Sequence, residues 1–179
     1  MILCSCSQDP SNGTVSLDSQ RRELSEEELA EAMKGANNNI ENRPDHNVCY
    51  ISITCRTAID SGELSNEMLE ILPSDGYILN NLEINYDDGA TVFDIILTAV
   101  KEEKLHFEYS GTKKVPYIEG VDNLYEFDCG ALSGWMYKVN GWFPSFGMGQ
   151  YKIQPGDQLE LIYSCDLGKD VSGGNYNMG

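Results

Sequence analysis

Long apolar runs are missing from this sequence: nowhere in its 179 residues do the ~18 consecutive apolar side chains of a membrane-spanning helix occur. Basic side chains are scarce as well. Twelve Lys and Arg stand against 29 Asp and Glu, a formal charge of -17, which repels phosphate backbones and anionic lipid head groups. Nucleic acid and membrane surfaces are therefore poor partners to expect. Histidine occurs twice, at His46 and His106, and no C-x-x-C or Cys/His spacing suits a zinc site. There is no HExxH, no phosphate-binding loop and no GxGxxG. GALSGW misses the G-x-S-x-G elbow, because Ser133 stands three places after its glycine rather than two. With those signatures gone, an enzyme is the weakest of the function classes.

Acidic residues are abundant, and Asp122, Glu126 and Asp128, like Asp166 and Asp170, lie close in sequence. The D-x-[DN]-x-[DN]-G-x5-E loop of an EF-hand is absent, although irregular calcium sites can be built from scattered oxygens. Solvated carboxylates are the simpler expectation.

The hydrophobic content, 41%, is enough for one core. Residues 1–23 read as a polar, turn-rich tether. Within it Leu3, Cys4, Ser5 and Cys6 resemble the L-x-small-C end of a bacterial lipoprotein signal, which makes Cys6 a candidate for lipidation and for a lipid anchor. The alternative is a terminus with two free thiols. Residues 24–46 hold one short helix, 24–36, with Ser25 as cap, Glu28 at the capping-box position and Gly35 to end it; a loop-like stretch follows. The domain proper is expected at 47–171, with a flexible tail at 172–179.

Inside that domain VCYISITC alternates with period two, which predicts a half-buried strand. YILNNLEINY gives another, closed by the turn Asp87-Asp88-Gly89. ATVFDIILTAVKEEK places Val92, Phe93, Ile96, Ala99 and Val100 at helical spacing, with Thr91 as N-cap and Asp94 three residues on. LHFEYSG, YIEG, GWMYKVNG and DQLELIYSC supply further strands. Strands, one amphipathic helix and more strands predict an α+β domain whose helix covers one face of a mixed sheet.

Cys49 and Cys55 would lie ~20 Å apart on one strand, beyond the span of a disulfide. If GWMYKVNG and DQLELIYSC pair antiparallel, Cys129 and Cys165 fall near one another, and a bridge between them is the preferred pairing. The four cysteines after residue 47 allow three full pairings, and sequence does not choose among them.

GWMYKVNGWFPSFGMGQY, Gly134 to Tyr151, holds two Trp, two Tyr, two Phe and four Gly. Period two puts Trp135, Tyr137 and Val139 on one side of a strand, where the two aromatics are most simply core. Asn140-Gly141 is a turn signal. Trp142, Phe143 and Phe146 sit among Gly, Pro and Ser, either as an exposed binding surface or as a small core folded under the loop. Trp135, Tyr137, Asn140, Trp142, Phe143 and Phe146 are the candidate ligand-binding residues.

GWMYKVNG and YKIQPGDQLELIYSCDLGKDV, with the upstream DDGATVFDIILTAVKEEKLHFEY and YIEGVDNLYEFDCG, resemble the DUF4430 family, the transcobalamin-like C-terminal domain of bacterial secreted and surface proteins. The resemblance spans roughly Val48 to Val171. It implies a β-grasp-like domain of the soluble-ligand-binding type, one helix packed on a mixed sheet. In the vitamin B12 carriers that this domain is similar to, such a β-domain supplies one wall of the corrinoid pocket and a barrel of helices the other. Met1 to Asn47 offers one short helix and no barrel. The expected function is thus an extracellular or cell-surface, non-enzymatic module, lipid-anchored or secreted, that binds a small molecule, with cobalamin or another corrinoid the ligand implied. The alternative is a structural or adhesion module with a cell-surface protein or cell-wall partner.

Overall fold

The computed structural model describes residues 47–172. The tether 1–23, the helix expected at 24–36, Cys6 and all but the first residue of the 172–179 tail lie outside the described residues. The described part has the expected architecture, a mixed α+β fold of β-grasp type.

Strand β1, Val48–Thr54, is central because its alternating Cys49, Ile51 and Ile53 are wholly buried under the helix. β-Branched side chains at such positions fill the pleat well. β2, Tyr77–Asn85, runs antiparallel to β1 from Val48 opposite Asn85 to Thr54 opposite Tyr77, with a register irregularity near Ser52. There Asn81 has φ 51° and its backbone N–H donates to the Ser52 hydroxyl at 3.0 Å. A bulged, polar edge strand of this kind resists pairing with other chains.

Between them lie two helices of six residues, α1 (Arg56–Ser61) and α2 (Asn66–Ile71). Both are too short to show a helical period in sequence. α1 ends at Gly62 with φ 74°, and α2 starts where the Ser65 side chain accepts the Met68 N–H.

α3, Val92–Glu102, is the helix whose apolar spacing is plain in the sequence, and it buries Val92, Phe93, Ile95, Ile96, Ala99 and Val100. Its start is the expected capping box. The Thr91 hydroxyl oxygen accepts the Asp94 N–H at 3.3 Å, while the Asp94 carboxylate accepts the Thr91 N–H at 3.0 Å and its hydroxyl at 2.7 Å. The Asp94 carboxyl sits below its ordinary value: partial burial pushes it up, but the Thr91 bonds and nearby Lys113 together outweigh that cost.

A second, antiparallel sheet follows in β3 (Phe107–Thr112), β4 (Val115–Val121) and β5 (Leu124–Tyr125). Phe107 and Tyr109 bring their rings to 6.5 and 4.9 Å from Phe93, the closer pair edge to face, which attaches this sheet to α3.

β6, Gly134–Val139, and β7, Gln158–Ser164, complete the main sheet. They pair antiparallel from Gly134–Ser164 to Val139–Leu159, and β7 runs parallel beside β1. The order is β2-β1-β7-β6, so the chain closes on itself through a parallel pair at the centre of the sheet. The main core lies between this sheet and α3. A second cluster, with Cys55, Ala58, Leu64, Leu72, Leu124, Cys129 and Tyr163, fills the end of the sheet under α1 and α2. Cys49 thus belongs to the main core and Cys55 to the second, because the chain leaves the strand and turns into α1 at Cys55.

Candidate functional site

The aromatic segment between β6 and β7 is held at three places. At its start Asn140 (φ 53°) and Gly141 (φ 80°) both adopt left-handed backbone. Val139 and Trp142 exchange backbone hydrogen bonds of 2.9 and 3.0 Å across them. That is the two-residue hairpin turn for which Asn-Gly is suited, and it fixes the Trp142 backbone directly after the strand.

At the end of the segment, the nearly inaccessible Asp157 carboxylate accepts the Asn140 side-chain N–H at 3.0 Å and the Gln154 N–H at 2.8 Å. The Asn140 side-chain oxygen accepts the Gln158 N–H at 2.9 Å. In the middle, the N-terminal N–H groups of α3 are satisfied by the loop itself: Val92 donates to the Tyr151 carbonyl and Phe93 to that of Met148. Those are donors a helix leaves open. Gly149 passes so close to the β3–β4 hairpin that a Cβ would meet the Lys113 carbonyl at 2.0 Å, so no larger residue fits there.

On this frame the six candidate side chains separate. Tyr137 is buried and its hydroxyl donates to the Phe146 carbonyl at 2.5 Å; burial holds its phenol far above the usual tyrosine range. Phe146 is buried in turn and stacks on Tyr151 at 5.5 Å with the rings 13° from parallel. Trp135 is half-buried, donates its indole N–H to the Leu124 carbonyl at 3.2 Å and meets Tyr163 edge to face at 5.1 Å. These three are committed to the interior, and Asn140 to the turn.

Trp142 is different: 59% of it is exposed. Next to it Phe143, half-buried, lies under the Lys138 ammonium at 4.9 Å from the ring centre. Lys138 also reaches Glu160 at 3.6 Å. An exposed indole on a braced turn, beside a phenyl ring with a cation over its face, can stack a flat or apolar group and offer a charge to its polar edge. Neither the Lys138–Phe143 contact nor the role of Asp157 has a signal in the sequence, because both depend on the register of β6 against β7.

Elsewhere the polar candidates are occupied structurally. Ser133 donates to the Gly130 carbonyl, accepts from the Cys129 N–H and lies 3.0 Å from the Tyr163 hydroxyl, whose proton goes to the Tyr125 carbonyl. His106, without a partner in its own sequence neighbourhood beyond Glu108, meets both Glu108 and the Tyr125 hydroxyl at 2.8 Å. That contact holds the exposed Glu108 carboxyl below its usual range. Asp128 accepts the Tyr125 N–H, and Asp170 accepts the Ser164 hydroxyl and the Cys165 N–H. Among the described residues no three His, Cys, Asp or Glu side chains gather so as to hold a metal ion.

A shallow open depression of about 420 Å³ lies away from the aromatic turn, lined by Asp94, Leu97, Thr98, Lys101, Glu102 and Lys113. At the opposite end of β6 and β7, Phe127, Leu132 and Leu167 are exposed. Their loops are joined by backbone bonds from Phe127 to Ser133 and from Leu167 to Leu132. Phe127 (φ 70°) and Leu167 (φ 47°) hold left-handed backbone without being glycine.

The Cys129 and Cys165 thiols are free, as are those of Cys49 and Cys55. The expected Cys129–Cys165 bond is absent from this structure, in which the two thiols lie side by side in reduced form.

Residues 89–164 match a family described as Domain of unknown function (DUF4430). That span carries α3, the second sheet, β6, the braced turn and β7. No curated protein matches the chain. Among solved structures, a candidate metal binding protein from Ruminococcus gnavus ATCC 29149 is similar at 15% identity and a TM-score of 0.42, over 66% of this chain and 97% of that one. Haptocorrin in complex with Cbi is similar at 16% identity and a TM-score of 0.45, over 69% of this chain and 26% of haptocorrin.

Proposed function

From the premise that residues 89–164 belong to the DUF4430 family, we propose that this protein is an extracytoplasmic, non-enzymatic module that binds a flat, partly apolar small molecule against Trp142 and Phe143. The observation that carries the proposal is the exposure of Trp142 on a turn braced by Asn140 and Asp157. A large apolar ring held rigidly in water loses little conformational entropy when a ligand covers it. Lys138 above Phe143 adds attraction for an anionic or carbonyl-bearing edge. The resemblance of Val48 to Val171 to the transcobalamin-like domain supplies the first ligand class to try, a corrinoid. Recognition is by stacking and shape, with no covalent step. The L-x-small-C tetrad ending at Cys6 supports attachment to the cell surface by a lipid.

The test is tryptophan emission from the full chain during titration with cobinamide and with cobalamin, read together with protection from a collisional quencher. Stacking on Trp142 lowers the emission saturably and shields the exposed indole. A linear response with no shielding up to millimolar ligand removes corrinoids from the reading.

A second reading, a structural or adhesion module, is favoured by one specific observation: Phe127, Leu132 and Leu167 are exposed together at the other end of the sheet. Apolar side chains on adjoining loops suit a protein partner. Their replacement by serine would abolish binding to cell-surface protein while leaving Trp142 emission and its response to corrinoids unchanged.

A further inference from the structure

Of the four described thiols, two converge. The Cys129 sulfur reaches the Ala58 carbonyl at 3.9 Å and the Cys165 sulfur reaches that of Thr57, the adjacent residue of α1, at 3.8 Å. The Ser61 hydroxyl, one turn further along α1, donates to the Cys129 sulfur at 3.7 Å. Cys49 lies in the main core, and Cys55, although in the same cluster as Cys129, turns its thiol to the Gly76 carbonyl, 3.6 Å away. The full pairing that joins Cys129 to Cys165 would also join Cys49 to Cys55, which lie in different clusters, so what remains is the single bridge Cys129–Cys165, with Cys49 and Cys55 as thiols. From this placement we infer that Cys129 and Cys165 form a structural disulfide in the mature protein, made by a disulfide donor of an oxidising compartment.

The consequence for the sheet follows from where the pair sits. Cys129 precedes β6 and Cys165 follows β7, and these strands meet at Gly134 and Ser164. At the far end of the same ladder, Asn140 and Asp157 fasten the turn that carries Trp142. A covalent bond at 129–165 would pin the other end, so that the hairpin is fixed at both extremities. It would also hold in place the loops that expose Phe127, Leu132 and Leu167.

The chemistry is an exchange. Both S–H bonds break and one S–S bond forms, the two thiols surrender two protons and two electrons, and the donor disulfide is reduced to two thiols. Exchange proceeds through a thiolate. Burial, with the adjacent Cys129 sulfur second, pushes the Cys165 thiol up to about 12, so in the folded protein it is almost wholly protonated near neutral pH. The bridge is independent of any ligand at Trp142.

The experiment is refolding of the reduced, full-length protein in a buffer of reduced and oxidised glutathione. Free thiols are then alkylated under denaturing conditions, and peptides are mapped by mass without reduction. The expected product joins the Cys129 peptide to the Cys165 peptide, short by two hydrogens, with Cys49 and Cys55 alkylated. Main products in which Cys129 and Cys165 are alkylated separately, or either is joined to any other cysteine, overturn the inference. A second readout uses the bridged protein directly. Reductant should lower its midpoint temperature by on the order of 10 °C and leave a Cys129→Ala/Cys165→Ala variant unmoved, whereas a wild-type midpoint that ignores a strong reductant in denaturant-assisted exchange overturns it as well.

Discussion

Truncating Phe146 to alanine removes a ring that is 8% exposed and stacks on Tyr151 at 5.5 Å, while the Phe146 carbonyl that accepts the Tyr137 hydroxyl is kept. Core Phe→Ala changes cost about 3–5 kcal/mol, and this ring sits at the edge of its cluster. About 3.5 kcal/mol is therefore the expected loss. For a domain of roughly this size ~4 °C of midpoint accompanies each kcal/mol, which gives a fall of about 14 °C. Truncating Trp142, four positions earlier in the same loop, leaves its turn intact, since the turn is made by backbone bonds of Val139 and Trp142. The side chain is 59% exposed, and such surface changes stay within about 0.5 kcal/mol, or ~2 °C. Thermal unfolding followed by far-ultraviolet circular dichroism reads both. A Phe146→Ala protein that melts within ~3 °C of wild type, or a Trp142→Ala protein that loses as much as Phe146→Ala, would refute the division of this loop into core and surface.

Asp94→Asn should cost about 1 kcal/mol at neutral pH, the worth of a helix cap, and should change how stability responds to acid. Asp94 has a folded-state pKa below its unfolded value, so its contribution is fully present above the unfolded value and is lost as pH falls through the folded one. Urea midpoints of wild type and variant should therefore converge below the ordinary carboxylate range, and a gap that persists or widens there would contradict the capping account. Tyr163→Phe deletes a hydroxyl that donates to the Tyr125 carbonyl at 2.6 Å and meets the Ser133 hydroxyl at 3.0 Å. Both partners keep other bonds, Tyr125 from the Asp128 N–H and Ser133 with Gly130 and Cys129, so the loss should be that of one hydrogen bond, about 0.5–1.5 kcal/mol in urea unfolding, while no measurable loss would show that water replaces the hydroxyl.

The strands and α3 were legible because their signals are local. The alternation of Cys49, Ile51 and Ile53, the helical spacing from Val92 to Val100, and Thr91 with Asp94 at a capping distance each lie within one element, and each is found where expected. The mixed sheet with its single amphipathic helix follows from their order. What stayed hidden is decided between elements. Period two marks Trp135 and Tyr137 as core, but Phe146 looks alike in sequence to Trp142 and Phe143, and only the packing of the loop on the end of α3 separates it from them. Lys138 reaches Phe143 through a turn, and His106 reaches Tyr125 across the second sheet. The left-handed backbone at Phe127 and Leu167 has no residue signature at all, since glycine or asparagine would be the local expectation. α1 and α2 are shorter than two full turns and show no period.

Equilibrium dialysis of the full chain and of Trp142→Ala against cobinamide tests the central claim, that the braced indole is the ligand-binding face. One ligand per chain in the wild type, with Trp142→Ala weakened about 30-fold by loss of ~2 kcal/mol from a hot-spot ring, is the result expected. Saturable binding that Trp142→Ala leaves unchanged, or no binding up to millimolar cobinamide, would contradict it.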